Sequence, residues 1–127
     1  MSIDALKWIN DLISGLGIDY EYGIWNTQPV PFPYFVGEKD EAPPESEDGL
    51  QESTFMITGT GPSLLELEQA KNKIMQLNGK RAILDNGSGV ALFYDGSYAV
   101  PIDEPDMKRI QINLMIKEWR VNEYGGN

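Results

Sequence analysis

The sequence contains neither histidine nor cysteine. Without cysteine there is no disulfide framework and no thiolate metal site, a composition that suits a reducing compartment. Without histidine there is no Ser-His or Cys-His nucleophile pair, no imidazole-bound zinc, and no side chain whose ordinary pKa lies near neutrality. No run approaches the roughly 18 apolar residues of a membrane helix. The opening stretch MSIDALKWINDLI holds two aspartates and lacks both the basic n-region and the long apolar run of a secretory signal, so it is expected to be mature sequence. Positive charge is scarce as well: ten bases against twenty acids leave a net charge of −10. Such a surface repels phosphate backbones, which argues against sequence-specific binding of DNA or RNA. For most of the acids, solubility is explanation enough.

What remains is the composition of an ordinary folded protein. The chain has 127 residues, 41% of them apolar, with three tryptophans, six tyrosines and four phenylalanines. That supply is enough for one core, so a single domain spanning residues 1–127 is expected. Ile3, Leu6, Ile9, Leu12, Ile13 and Leu16 recur at helical spacing. Ser2 before them suits an N-cap, and Gly17 after them a left-handed C-cap. Residues 19–26, DYEYGIWN, alternate in the manner of a strand. The following TQPVPFPYFVG has three prolines, which cannot donate to a sheet ladder. An edge strand or an extended arm is expected there, regular only from about Tyr34. QESTFMITG reads as a strand with Phe55 and Ile57 on one face and Thr54, Met56 and Thr58 on the other.

GPSLLELEQAKNKIMQLNG carries a second helix. Ser63 and Glu66 match a capping box, Leu64, Leu67, Ala70, Ile74 and Leu77 form an apolar stripe, and Gly79 is placed to stop it. Asn86-Gly87 and Asp95-Gly96 each carry the signature of a tight hairpin turn, so residues 80–102 are expected to form a meander. In MKRIQINLMIKEWRV, Ile110, Ile112, Leu114 and Ile116 share one face. Arg109, Gln111, Asn113, Met115 and Lys117 share the other, the alternation of a long antiparallel strand with one wet face. Trp119 and Val121 fall on the parity opposite to the isoleucines, which predicts a bulge near Lys117 or Glu118. Residues 122–127 are expected to fray. Together the elements predict an α+β fold: an antiparallel β-sheet with two helices packed on one face and a long acidic, proline-rich loop, residues 38–50, between strands.

Carboxylates are what could remain for acid–base or magnesium chemistry. Two clusters qualify on charge: Glu45, Glu47 and Asp48, and Asp103, Glu104 and Asp106. Both lie beside prolines in solvated-looking segments, whereas catalytic carboxylates need rigid, partly buried positions. DNGSG and DEPD hold oxygen ligands, but neither follows the calcium loop that ends in glutamate. GTGPS lacks the lysine of a phosphate-cradling loop and reads better as a strand-to-helix turn. No catalytic residue, cofactor or metal site is assigned.

The densest charge lies between two strand-like segments. From Glu38 to Glu52 seven acids are opposed only by Lys39. Like charges crowded in one connection do not help the isolated fold, and Pro43-Pro44 stiffens its midpoint. A stiff acidic arm flanked by edge strands suits insertion into a basic groove on a neighbour. On that reading Glu38, Asp40, Glu41, Pro43, Pro44, Glu45, Glu47 and Asp48 are candidate interface residues, a tolerated flexible insertion being the alternative. Met115 joins them, because the long final strand could extend its sheet across a subunit boundary, although a solvated face explains it nearly as well.

From Tyr34 to Trp119 the chain resembles the tail-terminator, or minor tail, proteins of tailed bacteriophages and prophages. The likeness is carried by the phrases YFVGE, DGLQESTFMITG, LLELEQAKNKI, NGSGVALFY and KRIQINLMIKEW, not by a catalytic signature. After Gly59 the chain departs from the family's pattern, with Thr60 and Gly61 in place of an aromatic and a basic residue. The resemblance implies a non-enzymatic α+β subunit without cofactor, made in the bacterial host cytoplasm and carried in the virion tail. It implies that copies assemble into a ring, commonly a hexamer, that ends the tail tube and joins it to the head. The tail-tube protein and head–tail connector proteins would be the partners. An acidic channel wall would then let DNA pass without sticking. The alternative is a monomeric acidic binding protein, a DNA mimic that occupies the basic site of a nucleic-acid enzyme. Such a mimic needs its acids spaced like phosphates on a rigid surface.

Overall fold

The computed structural model describes residues 1–40 and 49–119. Its elements run α1 (Ile3–Ser14), β1 (Tyr20–Tyr22), β2 (Tyr34–Lys39), β3 (Leu50–Gly61), α2 (Leu64–Met75), β4 (Arg81–Ile83), β5 (Gly89–Ala99) and β6 (Lys108–Trp119). The fold is α+β. Six strands form one sheet in the order β1-β2-β3-β6-β5-β4. All neighbours are antiparallel except β1 and β2, which run parallel with Tyr20 opposite Phe35. The sheet is therefore mixed where an antiparallel one was expected. The eleven residues between Tyr22 and Tyr34 return the chain to the end it left, and they do so without a helix.

Period-two alternation decides which face is buried. On β6, Ile110, Ile112, Leu114 and Ile116 are buried, and they meet Phe55 and Ile57 of β3, Phe35 of β2 and Leu92 of β5. Ala5, Ile9 and Ile13 from α1 and Leu67, Ala70 and Ile74 from α2 join the same cluster, so both helices cover one side of the sheet. Each fully buried aliphatic or aromatic side chain here contributes about 1.5–3 kcal/mol, which is why this face dictates the register. The opposite face has no helix among the described residues.

Both helix starts follow the sequence: Ser2 Oγ accepts from Ala5 N–H, and Ser63 Oγ accepts from Glu66 N–H. Leu64, expected in the buried stripe, is exposed instead, because the first helical residue points away from the sheet before the stripe engages. α1 stops at Ser14 with Gly15 as its C-cap, and Gly17 takes positive φ in the turn that follows.

Three local expectations are corrected. Asn86-Gly87 does turn β4 into β5, but only Gly87 has positive φ, so the turn is not the two-residue type with both central residues left-handed. Instead Gly87 N–H donates to Leu84 C=O and Ser88 N–H to Asn86 Oδ1. Asp95-Gly96 is no hairpin. Tyr94 faces Leu114 and Ser97 faces Ile112, so two residues oppose one and β5 bulges. Residues on both sides of the glycine find the same partner strand, which leaves nothing to turn toward. The bulge expected in β6 is absent: its register with β3 runs unbroken from Lys108 to Trp119. The parity puzzle there has another solution. Glu118 occupies a core-facing position at 1% exposure, held by Ser2 N–H at 2.9 Å and Ser2 Oγ–H at 2.5 Å.

Candidate interaction surfaces

The acidic stretch joins two strands, β2 and β3, that pair antiparallel. Glu38 and Lys39 are the last residues of β2, opposite Met56 and Phe55. Asp40 N–H donates to Thr54 C=O at 2.9 Å, and the return strand is already regular at Leu50. Glu38 and Asp40 are exposed. Glu41, Pro43, Pro44, Glu45, Glu47 and Asp48 lie outside the described residues. β2 and β3 are interior to the sheet and not edge strands as expected. Phe35 and Phe55 on these strands are buried on the helix side.

Met115 sits on the uncovered face of β6, between Thr54 of β3 and Phe93 of β5. Because β6 has a partner along each side, it cannot extend the sheet into another molecule. That expectation is overturned by strand order alone: β6 supplies the central ladder of the fold. What Met115 helps to form is a face. Met56 neighbours it on β3, and Lys117 Nζ lies 5.7 Å from the centre of the Phe93 ring, close enough for a cation–π contact. Tyr98, Trp119 and Ile83 are the large exposed groups of that face. Its polar side chains bond among themselves: Gln111 Nε2 donates to Asn113 Oδ1 at 3.0 Å. Despite the acidic balance of the chain, this face carries Arg81, Arg109 and Lys117 alongside Glu38 and Glu52.

At one corner the face rises into an aromatic shelf. Tyr34 packs against Trp25 at 5.5 Å and against Phe32 at 5.8 Å between ring centres. A small cavity of about 170 Å³ opens beside it, walled by Phe32, Ile102 and Met107 and floored by Arg109. Arg109 Nε donates to Thr60 Oγ1 at 2.9 Å, which fixes the guanidinium on the sheet. The three prolines near this corner, Pro29, Pro31 and Pro33, signalled an irregular arm in the sequence. Nothing in the sequence signalled that Tyr34 and Arg109 would meet through Thr60.

Asp103, Glu104 and Asp106 are exposed in the connection between β5 and β6. Among the described residues no group of three or more acidic side chains is arranged to hold a metal ion.

These features define a class: a two-layer α+β protein with two helices on one side of a mixed sheet and an open, mixed-charge face on the other. Neither known protein families nor curated protein sequences give a match to the chain. Among solved structures, its fold is similar to that of a chain in the "Virion of native gene transfer agent (GTA) particle". The two share 17% sequence identity with a TM-score of 0.65, over 84% of this chain and 83% of the other.

Proposed function

We propose that the chain is a single-domain structural subunit of a phage or prophage virion, non-enzymatic, whose copies close into a ring at the end of the tail. The observation that carries this reading is the shared fold with a component of a gene transfer agent virion, along most of both chains. The ring, commonly a hexamer in the family the sequence resembles, would terminate the tail tube and join it to the head. Its partners would be further copies, the tail-tube protein and the head–tail connector.

Ring closure needs two different, complementary surfaces on each copy. The acidic stretch from Glu38 to Glu52 would supply a negative one. The open sheet face, although mixed in charge, holds Arg81, Arg109 and Lys117 around Met115, Met56 and Phe93, cations that the acidic stretch of the next copy would meet. Charges so placed steer approach and fix register more than they add affinity. The DNA-mimic alternative draws less support, because the described acids are scattered over both helices, several strands and the 103–106 connection instead of forming one phosphate-like row.

The experiment is a size measurement against concentration, with and without purified tail-tube ends, on the intact chain and on a variant lacking residues 41–48. The intact chain should form closed rings alone or on the tube end, and the shortened one should stay folded and monomeric. An intact chain that remains monomeric throughout and never caps a tube would rule the reading out.

A further inference from the structure

We propose that the groove between the β4 edge and α1 binds an extended lysine- or arginine-bearing segment of another protein, which adds to the sheet as a seventh strand. Two edges terminate the sheet, β1 and β4. At the β1 edge the chain folds back: the Glu21 carboxylate accepts from the N–H groups of Asn26 and Thr27 at 3.1 and 3.2 Å. β4 has no such cover. Leu84 N–H donates to Ser88 C=O and Leu92 N–H to Lys80 C=O, and bonded and non-bonded pairs alternate along an antiparallel ladder. The backbone N–H and C=O groups of Arg81 and Ile83 therefore point away from β5, at an edge that no described strand occupies. Row upon row of such groups is the template for strand addition.

The surroundings select the occupant. A groove of about 310 Å³ runs between this edge and α1. Asp4, Asp11 and Asp85 line it with a single cation, Lys7, and Trp8 supplies an apolar wall. None of these four charged side chains makes an ion pair among the described residues. An added strand would lie about 4.8 Å from β4. Its alternate side chains would fall on the α1 side, over the carboxylates, and on the open side, against Ile83, which is 78% exposed. The groove thus fits a segment alternating basic with apolar residues. A second copy of this chain, at a net charge of −10, is the wrong sign for it. Ring formation draws on the Arg81 side chain of the open face, whereas this assignment rests on the β4 backbone and the α1 side of the groove, so its test is read on the single chain.

The test titrates the ¹⁵N-labelled full chain with an acetylated, amidated heptapeptide alternating lysine with valine. At saturation, amide hydrogen exchange at Arg81 and Ile83 should slow about tenfold or more, while Ala82, already bonded to β5, changes little. The Asp4→Asn/Asp11→Asn double variant should weaken binding about tenfold. The same peptide N-methylated at alternate backbone amides should not bind. Binding that survives N-methylation, binding without protection of Arg81 and Ile83, or no binding up to millimolar peptide would each overturn the proposal.

Discussion

Single residues carry more of this fold than their type suggests. Glu118 is the clearest case, a carboxylate at 1% exposure on the face that otherwise holds isoleucine and leucine. Ser2 makes it tolerable by donating twice, and the same hydroxyl caps α1 through Ala5 N–H. One serine thus ties the chain's start to its last described strand. Ser2→Ala removes a cap and one partner of a buried carboxylate, and should cost about 2–3 kcal/mol in chemical denaturation. A loss below about 0.5 kcal/mol would mean that water replaces the hydroxyl. Gly59 makes a second such point. A Cβ there would run into the Phe35 ring across the β2–β3 pair, and Phe35 is buried at 1% exposure. Gly59→Ala should therefore destabilise by about 1–3 kcal/mol through overpacking. Neither contact was legible beforehand. Glycine in a strand pattern is ambiguous, and a lone glutamate after an alternating run reads as a phase shift until its partner, 116 residues away, is known.

At the scale of elements, legibility tracks how local the determining interaction is. The capped starts of α1 and α2, the buried faces of β3 and β6 and the onset of β2 at Tyr34 all follow from residues within a few positions of each other. Strand order does not. That β2 and β3 are interior depends on Phe35, Phe55 and the β1 segment meeting on one sheet, and Asp95-Gly96 looks the same in a hairpin as in a bulge. The short parallel strand β1 depends on contacts that are distant or borrowed. The Tyr20 hydroxyl donates to Asn10 Oδ1 of α1 at 2.5 Å, and burial first, with Tyr22 nearby, pushes its pKa up. Glu21 works in the opposite sense. Desolvation raises its carboxyl, but the hydrogen bonds from Asn26 and Thr27 together outweigh it and hold the pKa below the ordinary carboxylate value of 4.5. A pKa lowered on folding contributes stability above the unfolded value and loses it as pH falls through the folded one. The Asn26 and Thr27 amide shifts should therefore titrate together, with a midpoint below 4.5, and Glu21→Gln should abolish that titration. A midpoint at or above that value would mean the carboxylate does not hold the turn.

For the whole molecule, electrostatics sets a test of assembly whose sign is informative. Copies that each carry −10 repel one another, and at physiological salt that repulsion reaches about 8 Å. If the acidic stretch only adds to it, removing residues 41–48 takes away Glu41, Glu45, Glu47 and Asp48, lowers the net charge to −6, and should strengthen self-association. Added salt should then strengthen it in the intact chain as well. If instead the stretch meets Arg81, Arg109 and Lys117 of the next copy, the same deletion weakens association despite the smaller repulsion, and salt weakens it too. The proposed ring requires the second pattern. Arg109→Glu with Lys117→Glu, both on the half-exposed open face of β6, should reproduce the deletion's effect without loss of fold, as read by circular dichroism. Combining them with the deletion should add little further, because both remove one contact. The β4 groove responds separately: its basic occupant should be released by salt whether or not the subunits have assembled. A chain whose copies associate more tightly in salt, and more tightly still without residues 41–48, would keep the open face free of the acidic stretch and leave the ring to contacts elsewhere.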